Sequence, residues 1–192
     1  MAIDKTAVIG FPVDHSLSPI IHNHWIKELA LDIKPYEKLN VDPNMFEEQM
    51  NNLKAEGFGG INVTVPLKEL AFNISDETSN VSKKLRSANT LTLSSDKINA
   101  DNTDAVGFIN SLDKKTIEEN ITNKKTLVLG AGGSARSVVH ALNELGSQVR
   151  LFNRTPEKAA ILLNDLSINS SPVSTEELDD YANSSSFIVN TT

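Results

Sequence analysis

At 192 residues, 39% hydrophobic and 22% charged, the chain has the composition of a soluble globular protein of one or two domains, which argues against wholesale disorder. It holds no cysteine and four histidines without a zinc-like spacing, so disulfides, thiolate nucleophiles and a metal centre are not expected. A net charge of −7 with no basic block argues against nucleic acid or an anionic membrane as partner and leaves any anionic ligand to be held by local groups. No apolar run reaches the ~18 residues of a bilayer span, and the start MAIDKTAVIG lacks the basic-then-apolar order of a leader; a cytoplasmic protein is expected.

Taken in chain order, Thr6 to Gly10 reads as a short buried strand, and Pro19 to Leu31 carries Ile20, Ile21, Trp25 and Leu29 at helical spacing, with Trp25 expected in the core. A strand at Tyr36 to Leu39, a helix from Pro43 to Glu56 and the apolar run Gly60 to Val65 repeat the strand-helix alternation of an α/β protein. Pro66 is expected to open a helix through Ala71, Asn73 to Leu85 to be loosely helical, and Ser87 to Leu93 and Lys97 to Ala100 to be strands about a turn at Ser94 to Asp96. Asp101 to Asp104 then caps a helix through Leu112, and the polar stretch Asp113 to Lys125 reads as a connector.

Downstream, a strand at Thr126 to Leu129, a helix at Ser134 to Leu145, a strand at Gln148 to Phe152 and a helix at Pro156 to Leu166 form a βαβ unit. A short strand near Val173, a helix at Thr175 to Ala182 and a strand at Phe187 to Asn190 complete the reading. The fold class is α/β: an N-terminal α/β domain with a mixed sheet over residues 1–104, then a partial Rossmann-type dinucleotide-binding domain over residues 105–192.

Gly130-Ala131-Gly132-Gly133-Ser134-Ala135 lies between a predicted strand and a predicted helix and matches G-x-G-x-x-A. Gly130 permits the tight turn, Gly132 lets the main chain approach a pyrophosphate, and Ala135 keeps helix and sheet close. Helix amides there are donors to an anion. The residue after the second strand selects the cofactor, because a carboxylate there would bond a ribose 2′-hydroxyl and repel a 2′-phosphate. This chain has Asn153, Arg154 and Thr155, a planar cation and a hydroxyl that suit a phosphomonoester and favour NADP. Thr155 could equally cap the helix that starts at Pro156 while Arg154 stays solvated.

Lys68 falls in the first turn of the helix predicted after Pro66, where the dipole disfavours a cation, so local helix stability does not explain it. Asn62 and Thr64 alternate on one face of the preceding strand, and Lys68 lies just past that strand's carboxyl end, where open α/β sheets bind ligands. Lys68 is therefore a candidate general acid/base, with Asp104 as a possible counter-ion and Asn62, Thr64 and Asn89 as groups that would pair the hydroxyls of a small polyhydroxylated ligand. Ser18 before Pro19 is an ordinary N-cap arrangement, although the same helix start could bind a carboxylate. His15, His22 and His24 receive no chemical role.

Together, Val8-Ile9-Gly10, His15-Ser16-Leu17-Ser18-Pro19, Asn62-Val63-Thr64-Val65-Pro66-Leu67-Lys68, Ala88-Asn89-Thr90, Asp101-Asn102-Thr103-Asp104, Gly130 to Ser134 and Asn153-Arg154-Thr155 resemble the shikimate dehydrogenase family, in that family's order and over essentially the whole chain. The resemblance implies NADPH-dependent reversible reduction of 3-dehydroshikimate to shikimate, in the chorismate pathway to aromatic amino acids, by a monomer or homodimer. It implies that Ser16 and Ser18 hold the substrate carboxylate, that Asn62, Thr64, Asn89 and Asp104 hold hydroxyls, and that Lys68 and Asp104 form the catalytic pair. Gly130, Ala131, Gly132, Gly133, Ser134, Asn153, Arg154 and Thr155 are implied to hold NADP.

Family members usually continue past the strand Phe187 to Asn190, so the resemblance also implies a cofactor domain incomplete at its C-terminal end and reduced turnover; separately, a strand left with an unpaired edge or uncovered apolar surface predicts looser order after Asp165. A quinate/shikimate dehydrogenase, a non-catalytic shikimate-binding fragment and a methylenetetrahydrofolate dehydrogenase are the alternatives; the last fits poorly, since the Ser-x-Ser-Pro and Asp-Asn-Thr-Asp segments do not suit a pterin.

Overall fold

A computed structural model describes residues 4–192; residues 1–3, at the head of the segment read above as lacking a leader's charge order, lie outside the described residues. The chain divides into two units, the first ending at Asn102 and the second running from Thr103 to Thr192.

In the first unit the elements are β1 (Lys5–Gly10), α1 (Ser18–Glu28), β2 (Glu37–Asn40), a 3-10 turn (Pro43–Met45), α2 (Phe46–Ala55), β3 (Phe58–Val63), α3 (Lys68–Asn73), β4 (Glu77–Thr78), α4 (Asn80–Leu85), β5 (Thr90–Leu93) and β6 (Ile98–Asp101). The strands form one six-stranded sheet in the order β2-β1-β3-β5-β6-β4. β1 pairs parallel with β2 and β3, β5 pairs antiparallel with β3 and β6, and β4 pairs parallel with β6. Because β1 has β2 on one side and β3 on the other, the carboxyl ends of β1 and β3 meet at a switch point, the place where such sheets take ligands.

One face of this sheet carries the main core. Ile9, Ile61, Val63, Leu91 and Ala100 pack there with Phe46, Met50 and Leu53, which α2 presents at i, i+4 and i+7. A smaller cluster of Val8, Val13 and Tyr36, with Ile26 of α1 against it, lies apart from that core. Helix α1 buries none of its residues; Ile20 is 69% exposed, Trp25 51% and Leu29 66%. The expectation that Trp25 joins the core is thus overturned, since helical spacing reveals a common face and not what covers it.

Other local expectations also change. Pro66 does not open a helix; it lies in the turn before α3, which starts at Lys68. The loosely helical reading of Asn73 to Leu85 hides the two-residue strand β4, fixed by long-range bonds in which Asp76 N–H donates to Ile98 O at 2.9 Å and Ile98 N–H donates to Asp76 Oδ2 at 2.8 Å. Asn89 sits one residue before β5 rather than within a strand. The stretch read as a polar connector contains α6 (Lys114–Thr116) and a π turn (Ile117–Ile121), whose Ile121 is fully buried.

The second unit begins with α5 (Asp104–Asn110), and after α6 and the π turn continues with β7 (Lys125–Leu129), α7 (Gly133–Glu144), β8 (Gln148–Phe152), α8 (Pro156–Asp165), α9 (Leu178–Ser184) and β9 (Phe187–Asn190). Its strands form a parallel three-stranded sheet in the order β8-β7-β9, and Val173 adds a single parallel bridge to Phe152. Leu127, Val139, Leu142, Leu151, Leu162 and Leu163 are almost fully buried. Arg136 of α7, itself 8% exposed, donates to Asp165 Oδ2 of α8 at 2.9 Å and ties those helices together. Among the described residues no helix is long and apolar enough to cross a membrane.

Candidate functional site

In the first unit, backbone hydrogen bonds gather the predicted substrate residues at the ends of β1 and β3. Thr64 N–H donates to Ile9 O at 2.9 Å and Phe11 N–H to Val65 O at 3.1 Å, joining the two strand ends. On the other side, Val63 N–H donates to Asn89 O at 2.8 Å and Ala88 N–H to Lys68 O at 2.9 Å. Asn62 near the end of β3, Thr64 just after it, Lys68 at the start of α3 and Asn89 just before β5 are therefore held by one interlocked set of element ends, which fixes polar side chains better than an isolated loop would. Lys68 is the first residue of α3 and only 8% exposed, a rare burial for a lysine.

Asp101 and Asn102 support the same place. Asn102, 2% exposed, donates from Nδ2 to Ser87 O at 3.0 Å, and Asp101 O accepts from Asn89 N–H at 3.1 Å. Asp101 Oδ1 also accepts from the Ser79 hydroxyl at 2.6 Å and Asn102 N–H at 2.7 Å. Asp104 is the half-buried first residue of α5 and belongs to the second unit.

Ser16 and Ser18 follow β1. The N-cap of α1 is Leu17 and no side chain caps the helix, so the expected capping by Ser18 does not occur. Instead the Ser16 hydroxyl donates to Ser18 Oγ at 3.2 Å, and Ser18 N–H donates to Ser16 Oγ at 3.3 Å. Two half-buried hydroxyls at the positive end of an 11-residue helix suit a carboxylate, which can draw on both the hydroxyls and the dipole.

Gly10 closes the strand ends together. A Cβ at this position would lie 2.6 Å from Thr64 Cγ2 and 3.2 Å from Val65 O, so no larger residue fits without moving Thr64 or the backbone. Gly10→Ala should destabilise the fold by about 1–3 kcal/mol, read as a lower denaturant midpoint at constant slope. An unchanged midpoint would show that Thr64 simply swings aside.

Residues without an assigned role also converge here. The Tyr36 hydroxyl donates to Asn62 Oδ1 at 2.7 Å, and the His22 ring stacks on Tyr36 with centroids 4.2 Å apart. Burial lowers the His22 pKa from its ordinary value and raises that of Tyr36, favouring a neutral pair. His22, Tyr36, Asn62 and Thr90 share the lining of a cavity of about 350 Å³ between α1 and the sheet. Its walls are largely apolar, with Trp25 and Leu29 among them, and its other polar members are Thr6 and Thr92.

In the second unit the glycine turn lies at the carboxyl end of β7, between β8 and β9. Gly130 has φ +105°, and a Cβ there would meet Thr191 Oγ1 at 2.7 Å; only glycine adopts this conformation and admits this neighbour. Gly132 has open space where a Cβ would project, and the first turn of α7 has no side-chain cap. Unclaimed amide donors beside an open main-chain surface fit a pyrophosphate. At the end of β8, Asn153 Nδ2 donates to Thr155 O at 2.8 Å. Thr155 occupies the N-cap of α8 but makes no capping bond, which removes the capping explanation for its hydroxyl. Arg154 is exposed and forms no ion pair with another described residue. The donor set fits a dinucleotide with a 2′-phosphate.

Family profiles match residues in both halves of the chain. A family profile described as "Shikimate dehydrogenase substrate binding domain" matches residues 8–91, and one described as "Shikimate / quinate 5-dehydrogenase" matches residues 111–192. The shikimate dehydrogenase (NADP(+)) of Rhizobium meliloti is 37% identical over 194 residues, covering 99% of this chain and 67% of the relative. The chain belongs to the shikimate dehydrogenase family. Another member, from Methylocella silvestris, is 40% identical over 158 residues, covering 82% of this chain and 56% of its own length, so this chain spans little more than half of that relative. The crystal structure of shikimate 5-dehydrogenase from Thermus thermophilus in complex with NADP(H) and shikimate matches with TM-score 0.82 and 31% identity, over 99% of this chain and 69% of the other.

Gly10, His22, Tyr36 and Thr90 are site-shaping residues that the sequence leaves without a role. Tyr36 has one available signal, an aromatic flanked by Lys34, Pro35, Glu37 and Lys38, where solvation alone would not favour it.

Proposed function

We propose that this chain carries the substrate-binding unit and the dinucleotide turn of an enzyme that reversibly reduces 3-dehydroshikimate to shikimate with NADPH, a step toward chorismate and the aromatic amino acids. The observation that carries the reading is the interlocking of the ends of β1 and β3 with the Ala88-Asn89 segment, which holds Asn62, Thr64, buried Lys68 and Asn89 together. Family membership and the relatives named for NADP and shikimate support it.

In this reading Ser16 and Ser18 bind the ring carboxylate, while Asn62, Thr64 and Asn89 meet ring hydroxyls. Gly130, Ala131, Gly132, Gly133 and Ser134 would hold the pyrophosphate, and Asn153, Arg154 and Thr155 the 2′-phosphate. When bound, NADPH supplies hydride to a ring ketone. Lys68 donates a proton to the oxygen that gains charge as the ketone is reduced, and in the oxidative direction takes the proton from the hydroxyl. Asp104 enters as the carboxylate that steadies Lys68 and a substrate hydroxyl, a role resting on the family resemblance.

Steady-state assays with shikimate and quinate, each with NADP⁺ and NAD⁺, test the reading. Oxidation of shikimate with NADP⁺ as the preferred pair is the expected result. Preference for quinate, or for NAD⁺, would reassign the substrate or the cofactor, and no oxidation of either acid would reject the enzymatic reading for this chain.

A further inference from the structure

Tyr36 is 5% exposed and held from three directions. Asn23 of α1 accepts its N–H at Oδ1 at 2.7 Å and donates from Nδ2 to its carbonyl at 3.1 Å. His22, one residue earlier on the same helix, stacks on its ring with an interplanar angle of 11°. The hydroxyl donates to Asn62 Oδ1 at 2.7 Å. A long rotatable side chain thus becomes a fixed donor, its position set by α1, the helix that starts at Ser18.

An asparagine amide has one donor end and one acceptor end, and exchanging them reverses what it offers a ligand. On the far side, Asn62 Nδ2 points to Asn89 O at 3.5 Å and Thr90 Oγ1 at 3.4 Å. A main-chain carbonyl only accepts, so that side must receive the NH₂ end, leaving Oδ1 for a group that donates. Tyr36 is that group. Thr90, with Asn62 Nδ2 on its oxygen, donates its hydroxyl to Asn89 Oδ1 at 2.9 Å. Donation therefore runs in one direction, from Tyr36 through Asn62 and Thr90 to Asn89, and orders both of the amides that face ring hydroxyls in the shikimate reading.

We propose that Tyr36 is a positioning residue of the substrate site, holding the Asn62 amide, and through Thr90 that of Asn89, in the one orientation that matches the hydroxyl pattern of the ligand. This inference rests on the shikimate reading. Tyr36 acts through Asn62 and need not touch the substrate. A double-mutant cycle read by calorimetric titration of shikimate into the chain, with thermal unfolding alongside, tests this.

Tyr36→Phe keeps the ring and its stacking and removes one oxygen; it should weaken shikimate about 3- to 10-fold. In an Asn62→Ala background the same change should cost less than about twofold, because the amide it positions is gone. A purely structural tyrosine would give the same loss in both backgrounds. Equal losses, or wild-type affinity for Tyr36→Phe alone, overturn the inference while leaving the shikimate reading standing. Wild-type chain that binds no shikimate overturns that reading and the inference with it. If Tyr36→Phe does not fold, Thr90→Val paired with Asn89→Ala carries the same cycle one link further along: coupled losses support the relay and additive losses overturn it.

Discussion

Lys68→Ala is expected to slow shikimate oxidation by about 10²–10⁴-fold while weakening shikimate binding by less than about tenfold, the range of a lost hydrogen bond. The asymmetry follows from what Lys68 is placed to do. It is 8% exposed at the first position of α3, where the helix dipole opposes a cation, so the helix gains nothing from it. Its carbonyl is fixed by Ala88 N–H at 2.9 Å, which holds the side chain's base beside Asn89. A group positioned to pass a proton contributes mainly in the transition state, and its loss appears in kcat more than in affinity. Rates at saturating substrate and dissociation constants from titration separate the two. Lost affinity with unchanged turnover would reduce Lys68 to a ligand contact.

Arg154→Ala is expected to weaken NADPH by about 10- to 100-fold, on the scale of one or two hydrogen bonds to a charged group, and NADH by less than about twofold. Arg154 is exposed and without an ion pair to another described residue, so its removal should cost the fold little. Thr155, at the N-cap of α8 with no capping bond of its own, can add a hydroxyl to the same phosphate. Fluorescence titration of both reduced cofactors measures the two effects on one protein. Equal losses would remove the 2′-phosphate from Arg154 and assign it a general role in binding adenosine.

The elements that repeat with a strong local signal were legible from residue types. Gln148–Phe152 and Phe187–Asn190 are strands over the ranges expected, because a short alternating or apolar stretch between polar loops has little other use. The glycine turn was legible for a similar reason, since Gly130 at φ +105° and the close Thr191 leave no alternative residue.

What escaped depends on contacts distant in sequence. Tyr36 and Asn62 are 26 residues apart, and no periodicity links a tyrosine at the edge of β2 to an asparagine on β3. Strand β4 exists because Asp76 and Ile98 exchange hydrogen bonds across 22 residues, while its own sequence suggests a helix. Trp25 misled in the opposite sense, as spacing assigned it a face and the fold leaves it 51% exposed. His22 shows the same limit: as one of two histidines two apart on a helix it had no visible purpose, and only the stacked Tyr36 gives it one.

The most direct measurement is a crystal of the chain soaked in shikimate. The carboxylate is expected at Ser16 and Ser18, with ring hydroxyls within hydrogen-bond reach of Lys68 Nζ and of the Asn62 and Asn89 amides. Shikimate bound away from Lys68, or seated with its carboxylate on Lys68 and no hydroxyl facing the two amides, would contradict it.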